Sequence, residues 1–253
     1  MRWRLLDSGT LSGPENMAVD CGLLDRARES GESVLRIYQW STPTLSFGRH
    51  ESVRARFSAA TLEAAAVGVV RRPTGGRVLM HDHEVTYSVT APVRDDEPLR
   101  EGYRRINQVL IDALARLGVT AIESPPSTPM RPGGAACFAE PNEGEIVIGH
   151  RKIIGSAQIR EHGAMLQHGS ILIDDDQPRI STLATGPITP SAPAATLTSA
   201  MGRTPSYDEV RDALAAALVA TVGSATPLDA ADVNALAAPH RARFESPEWT
   251  WRR

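Results

Sequence analysis

Apolar residues along the chain change their spacing from segment to segment, and those changes mark the elements. Trp3 to Leu6 alternates and reads as an opening strand. Ser12-Gly-Pro-Glu15 then has the form of a helix start, with Ser at the cap, Pro in the first turn and Glu three residues after the Ser. Met17, Asp20, Leu24 and Ala27 follow at helical spacing, with Cys21 beside them. Val34 to Trp40 and Thr44 to Phe47 read as strands separated by Ser41-Thr42-Pro43, and Ser58 to Val67 as an alanine-rich helix stopped by Gly68. Val69 to Arg71 and Val85 to Val89 are predicted strands on either side of the loop Arg72-Pro-Thr74-Gly75-Gly76-Arg77. A helix from Arg100 to Leu117 closes at Gly118.

The middle of the chain differs. Ser124 to Gly134 is rich in Pro and Gly and leads directly to Cys137. Glu145 to Ile148, Lys152 to Ile159 and Met165 to Ile173 read as successive strands, the first two joined by the turn Gly149-His150. Thr185 to Pro205, rich in Pro, Ser, Thr and Ala, predicts an extended surface connection. Two helices follow, Tyr207 to Ala220 with Ser206 and Glu209 as a capping box, and Leu228 to Ala238. Clustered strands with helices before, between and after them predict an α+β fold with a mixed, largely antiparallel sheet. The expectation is a single catalytic domain over 1–253, with 206–253 as a C-terminal helical appendage, because about fifty residues are too few for a comfortable independent unit.

Composition sharpens this picture at one point. Hydrophobic residues at 42% and charged residues at 23% suit an ordinary globular enzyme, and a net charge of −3 gives no general reason to expect nucleic acid. No apolar stretch approaches the roughly 18 residues that span a bilayer, and the amino-terminal residues lack a signal-peptide core. No membrane role is therefore expected. Two cysteines 116 positions apart form neither a disulfide framework nor a metal motif, so a reducing cytoplasm is the default. No exposed apolar helix stripe is evident, and a monomer is expected. Among 27 basic residues, however, only Lys152 is a lysine. In a chain rich in Ala and Arg, drift exchanges Lys for Arg wherever a positive charge suffices. The survivor suggests a site needing a compact ammonium that can lose its proton, which guanidinium does not replace.

Candidate chemistry gathers near that lysine. Cys137-Phe-Ala-Glu-Pro141 ends the glycine-rich run, and small residues before a cysteine let its sulfur reach a cleft. An ammonium near the thiol would raise its thiolate fraction, and a lysine could also move a proton between attacking and leaving groups. Cys21, on an apolar helix face, reads instead as a small buried hydrophobe. Arg72, Thr74, Gly75, Gly76 and Arg77 form a basic loop whose glycines let backbone N–H groups approach an oxyanion or acyl carbonyl; an exposed hairpin turn is the alternative. Gly155-Ser156-Ala157-Gln158 and Gln167-His168-Gly169-Ser170 interrupt apolar strands with polar groups, which line a pocket or form a structural hydrogen-bond network. His81-Asp-His83-Glu84 lacks a third clear ligand, so no metal is expected there, and no cofactor is expected elsewhere.

Together these segments resemble the lipoate-protein ligase and octanoyltransferase family. The stretches that carry the resemblance are RRPTGGRVLMHDHEVTYSV, CFAEPNEGEIVIGHRKIIGSAQ and LQHGSILI, with weaker similarity from WRLLDSG, ENMAVD and TLSFGRH to SPEWTWRR. The resemblance implies the biotin/lipoate-protein ligase catalytic fold, akin to class II aminoacyl-tRNA synthetases. It is closest to the cysteine-dependent branch that acts on the glycine cleavage H protein. In that branch Cys137 would be the nucleophile of the Cys-Phe-x-x-Pro segment and Arg77 would replace a third glycine. Lys152 would be the family lysine of Gly-x-x-Lys-x-x-Gly-Ser-Ala. The chain's ending soon after the expected catalytic domain agrees, since many ligases add a small carboxy-terminal domain. The implied catalytic pair is Cys137 and Lys152, with Arg72 to Arg77, His81, Gly155 to Gln158, His168 and Gly169 around the substrate. Leu79, Val85 and Ile154 are candidate walls of an acyl tunnel.

The implied reaction moves an octanoyl group from octanoyl-acyl carrier protein to a lysine of a lipoyl-domain protein, the glycine cleavage H protein. Alternatives are an ATP-dependent lipoate-protein ligase in which Cys137 is a bystander, an amidotransferase between lipoyl proteins, and a non-catalytic acyl-binding or carrier-docking protein. Gly144, where the branch usually has an aromatic before the glutamate, leaves chain-length preference open.

Overall fold

The computed structural model describes residues 2–93, 99–124, 144–190 and 192–253. The first third contains β1 (Arg2–Leu11), α1 (Gly13–Ser30), β2 (Glu32–Trp40), β3 (Thr44–Phe47), α2 (Ala59–Ala64) and β4 (Gly68–Arg71). Next come β5 (Leu79–His81), β6 (Glu84–Pro92), α3 (Leu99–Arg116), β7 (Ile122–Glu123), β8 (Ile146–Ile148), β9 (Arg151–Glu161) and β10 (Ala164–Leu172). The chain finishes with α4 (Arg179–Leu183), α5 (Leu197–Met201), α6 (Tyr207–Val222), β11 (Thr226–Pro227), a 3-10 turn at Ala230–Asp232, α7 (Val233–Ala237), α8 (Arg241–Glu245) and α9 (Pro247–Thr250).

Among the described residues the main sheet has the order β11-β1-β2-β6-β10-β9-β8-β7, and a smaller sheet has the order β4-β3-β5. β1 runs parallel to β2 and β11, and β3 parallel to β4; every other pairing is antiparallel. The expected mixed, largely antiparallel α+β architecture is therefore present. β1 and β2 can be parallel because α1 is the crossover between them. Its start is the capping box read from Ser12 and Glu15, and Gly31 at φ 68° ends it.

Strand alternation separates core from site. On β6, Val85, Tyr87, Val89 and Ala91 face one side and join Leu35 and Ile37 of β2, Ile106 and Leu110 of α3, and Val210 and Leu214 of α6 in the largest apolar cluster. The intervening Thr86 and Ser88 face the α1 side, bonding Trp40 and Asp20 respectively. β10 does the same, with Met165 and Ile171 in the core and His168 and Ser170 on the α1 side. On that side Met17, Ala18, Cys21, Val34 and Tyr38 cluster with Ala237 of α7 and Phe244 of α8. The small sheet packs with α2 and α4 through Leu45, Phe47, Leu62, Met80, Ile180 and Leu183.

Three elements depart from the sequence expectation. The helix expected over 58–67 ends at Ala64, because Gly68 N–H is drawn to Pro43 O at 2.8 Å and begins β4 instead of capping α2. The stretch 185–205 is no simple surface connection: Ala194, Ala195 and Leu197 are buried, Ala195 N–H bonds Lys152 O at 2.9 Å, and α5 forms within it. The helix expected from Leu228 starts later, since Leu228 N–H is held by Leu5 O at 2.8 Å; a 3-10 turn capped by Asp229 then precedes α7. β7 and β8 flank residues 125–143, so Cys137 and the Pro- and Gly-rich loop before it lie outside the described residues.

Candidate active site

A cavity opens between the α1 side of the main sheet and the small sheet. Met17 of α1, Tyr38 and Trp40 of β2, and Leu79 and His81 of β5 form much of its wall. Arg72 and Gly76 enter from the glycine loop, Thr86 from β6, Gly155 to Ala157 from β9, and His168 to Ser170 from β10. Segments far apart in sequence thus meet at one place. Gly169 permits this, since a Cβ there would stand 2.4 Å from Gly155 O and 2.8 Å from the Tyr87 ring.

Two buried carboxylate–histidine pairs hold the polar side of the cavity. Asp20 of α1 accepts from Arg36 at 2.8 Å, Ser88 at 2.7 Å and Tyr38 at 3.2 Å, and lies 3.0 Å from His168 Nδ1. Burial pushes the Asp20 carboxyl upward, but the Arg36 guanidinium and the His168 and Ser88 bonds outweigh it, so the carboxyl sits below its ordinary value. Burial lowers His168, only partly offset by Asp20, whose charge Arg36 already engages. A neutral His168 donating from Nδ1 to Asp20 leaves Nε2 to accept from Thr74 Oγ1 at 2.7 Å. In the second pair, His81 Nδ1 lies 2.7 Å from Glu84, Nε2 lies 2.6 Å from Ser46 Oγ, and the ring stacks on Trp40 with centroids 3.9 Å apart. Arg72 donates to Ser46 Oγ at 2.6 Å and to the carbonyls of Gly75 at 3.1 Å and Arg77 at 2.8 Å. The glycine loop is consequently braced at Thr74 by one pair and through Arg72 by the other. Gly76, at φ 97°, takes a conformation that L side chains rarely adopt.

Lys152 stands on β9, three positions before Gly155, roughly 10 Å of strand. It is fully buried, with Nζ 2.5 Å from Glu145 Oε1. Glu145 is tied to the base of the segment that contains Cys137: its carbonyl accepts from Ser124 N–H at 2.7 Å, and Gly144 O accepts from Asn107 at 2.5 Å. Cys21 is buried, and burial pushes its thiol up to about 12, so at neutral pH it packs as a small apolar group.

Of the residues singled out in the sequence, Arg72, Gly76, His81, Gly155, Ser156, Ala157, His168 and Gly169 line the cavity. Thr74, Gly75 and Arg77 belong to the braced loop behind them. Gln158 lies past the wall, its amide N–H turned toward Met165 Sδ at 3.8 Å. Leu79 lines the cavity, but Val85 and Ile154 do not; strand alternation turns both into the α3 and α6 core. His81 and His83 share no partner. His83 is exposed and bonds Asp176 at 3.0 Å, which raises its pKa. Asp82, His83 and Asp176 form a loose group of potential ligand atoms outside the cavity.

Sequence reading missed Asp20, Ser46, Glu84 and Glu145. Asp20 carried the clearest signal, a carboxylate among Met17, Leu24 and Ala27 on the buried face of a helix.

Residues 12–219 match the lipoyl protein ligase A/B catalytic domain. The octanoyltransferase LipM of Symbiobacterium thermophilum is 39% identical over 241 residues, covering 87% of this chain and 86% of that protein. That of Geobacillus kaustophilus is 34% identical and covers 99% and 98%, and that of Bacillus subtilis is 37% identical over 72% of this chain and 69% of its own. Among solved structures, a lipoate-protein ligase A bound with ATP is similar with a TM-score of 0.82 at 22% identity, covering 99% of both chains. A bipartite lipoate protein ligase from Thermoplasma acidophilum, solved with its E2 lipoyl domain, is similar with a TM-score of 0.77 at 22% identity, covering 99% and 96%.

Proposed function

The chain belongs to the lipoyl protein ligase A/B catalytic domain family, and from that premise we propose that it moves an octanoyl group through a thioester on Cys137. Octanoyl transfer in lipoate biosynthesis is the activity its relatives carry and the activity of this chain. In the first step the Cys137 thiolate attacks the carbonyl of an octanoyl thioester held on acyl carrier protein. The bond from carbonyl carbon to carrier sulfur breaks, and the carrier thiol leaves with a proton. In the second, a lysine amine of the glycine cleavage H protein attacks the Cys137 thioester, forming the amide and releasing the thiolate. Dividing the transfer this way needs two docking events in place of one three-body encounter. We place the reaction in the cytoplasm, where a free thiol stays reduced.

The observation that supports this reading is the cavity: Met17, Trp40, Leu79 and Ala157 offer an apolar wall to an octanoyl chain, and Gly76 of the glycine loop lies at its edge. Loop donors fixed in advance stabilise the oxyanion of each tetrahedral intermediate without rearranging. Lys152, anchored by Glu145 beside the base of the Cys137 segment, gives its proton to the departing carrier thiolate in the first step and, as the neutral amine this leaves, accepts the proton of the attacking lysine in the second. Cys21 is unsuited to nucleophilic attack because its protonated thiol is buried.

The test is octanoyl transfer from octanoyl-acyl carrier protein to H protein without ATP. Cys137→Ser should abolish turnover, Cys21→Ser should retain it, and Lys152→Arg should lower it about a hundredfold or more, since guanidinium neither fits the buried site nor gives up a proton. Turnover by Cys137→Ser, or a strict need for ATP, would overturn the reading.

A further inference from the structure

A concentration of arginine lies beside the cavity on a chain whose net charge is −3. The segment 48–56 follows β3, and Arg49 N–H bonds Thr74 O at 2.8 Å, one residue from the paired glycines. Residues 249–253 lie against that segment. Arg253 O accepts from Val53 N–H at 3.2 Å and from Arg54 N–H at 3.4 Å, Arg252 bonds Arg49 O, and Arg54 bonds Trp251 O. Arg243 and Arg252 both stack on Trp249, their guanidinium carbons 3.7 and 4.1 Å from its ring centroid.

Carboxylates neutralise only part of this charge. Glu161 pairs with Arg49 at 2.5 Å and Glu51 with Arg56 at 2.9 Å. Among the described residues, Arg54, Arg243, Arg252 and Arg253 have no carboxylate in salt-bridge contact, while Arg71 lies buried beneath them on backbone carbonyls. A carboxylate carried by Arg253 itself would cancel at most one of these charges. The crowding is felt: besides burial, Arg252 and Arg253 lower the pKa of Arg71 to about 10, and Arg49, Arg253 and Arg243 lower that of Arg252. Gathering like charges without counterions costs stability, and an anionic partner that docks across them relieves that cost.

We propose that the arginine surface formed by 49–56 and 249–253 docks the acidic carrier protein that delivers the octanoyl thioester. This rests on the transferase reading above. The choice of donor over acceptor follows from the groups each presents. The donor carries an anionic phosphodiester on its arm, which guanidinium groups bind well, whereas the acceptor's reacting lysine brings no such anion. Docking here sets the arm beside the Gly75–Gly76 loop, because Arg49 and the loop are directly bonded.

The experiment measures acylation of the full-length enzyme from two donors, octanoyl-acyl carrier protein and octanoyl-pantetheine, which has neither protein nor phosphate. Arg54→Glu/Arg253→Glu is compared with the native chain across ionic strength, with circular dichroism confirming the fold. The native rate from the carrier should fall steeply with salt. In the variant it should be about tenfold or more lower at low salt and nearly salt-independent, with the octanoyl-pantetheine rate unchanged. A variant as fast as the native enzyme with the carrier, or one equally slow with both donors, overturns the proposal. So does a defect confined to transfer onto the acceptor, or a patch that binds anionic phospholipid vesicles while carrier acylation is unaffected. Acylation of the native chain by octanoyl-pantetheine stands apart, since its failure would count against the Cys137 thioester and not against the docking surface.

Discussion

At the scale of single residues, the buried ionisable groups make the protein yield to acid in different pH windows. His168 is held neutral by burial, below its ordinary value of 6.5. Between that value and its lower folded value, the unfolded chain binds a proton that the native state does not. Stability is therefore lost as pH falls through this window, by up to about 1.4 kcal/mol per pH unit for one group. Asp20 is lowered as well, but its contribution persists until pH drops below the ordinary carboxylate value of 3.8. His240 is also lowered by burial, so the native curve alone does not isolate His168. The difference between native protein and His168→Gln does: urea unfolding from pH 7.5 to pH 5 should show a shallower decline in the variant, and parallel curves would contradict the assignment. Lys152 illustrates what sequence could disclose. Its isolation among arginines pointed to an unusual site, and it is fully buried against Glu145. The partner was not legible, because an ordinary glutamate seven positions away carries no mark of the strand pairing that brings the two together.

At the scale of elements, β6, β10 and α1 were legible from their alternating and helical spacings, and so were the two capping boxes. What the pattern could not reveal is which polar strand residues face α1, since that depends on the register between β6 and β10, where His168 stands opposite Ser88. The short C-terminal helices were misread for a similar reason: a backbone bond from Leu228 to Leu5 of β1 overrides local helix preference. The glycine loop depends on a contact of this non-local kind. A Cβ on Gly48 would stand 1.8 Å from Gly76 O, a backbone clash that only movement of the loop relieves. Gly48→Ala should cost about 1–3 kcal/mol of stability and, by misplacing the loop, lower turnover about tenfold to a hundredfold. Chemical unfolding and transfer kinetics on the same preparation would check both; native turnover in a folded Gly48→Ala protein would show that the loop needs no such support.

For the whole molecule, a core that sequence periodicity outlines adjoins a cavity that only the assembled sheets create. Val85 and Ile154 were reasonable candidates for the acyl wall as apolar residues in the relevant motifs, yet the sheet turns them into the α3 and α6 core and leaves Leu79, Met17 and Trp40 to line the cavity. The mechanism requires that the cavity side receive the thioester and that Cys137 hold the acyl group between donor and acceptor. The most direct measurement is intact-mass analysis, with peptide mapping, of purified enzyme mixed with octanoyl-acyl carrier protein in the absence of ATP. One octanoyl group, mapped to Cys137, lost in Cys137→Ser and discharged when H protein is added, is the predicted result. An unmodified enzyme that still transfers octanoyl groups, or an adduct on another residue, would contradict it.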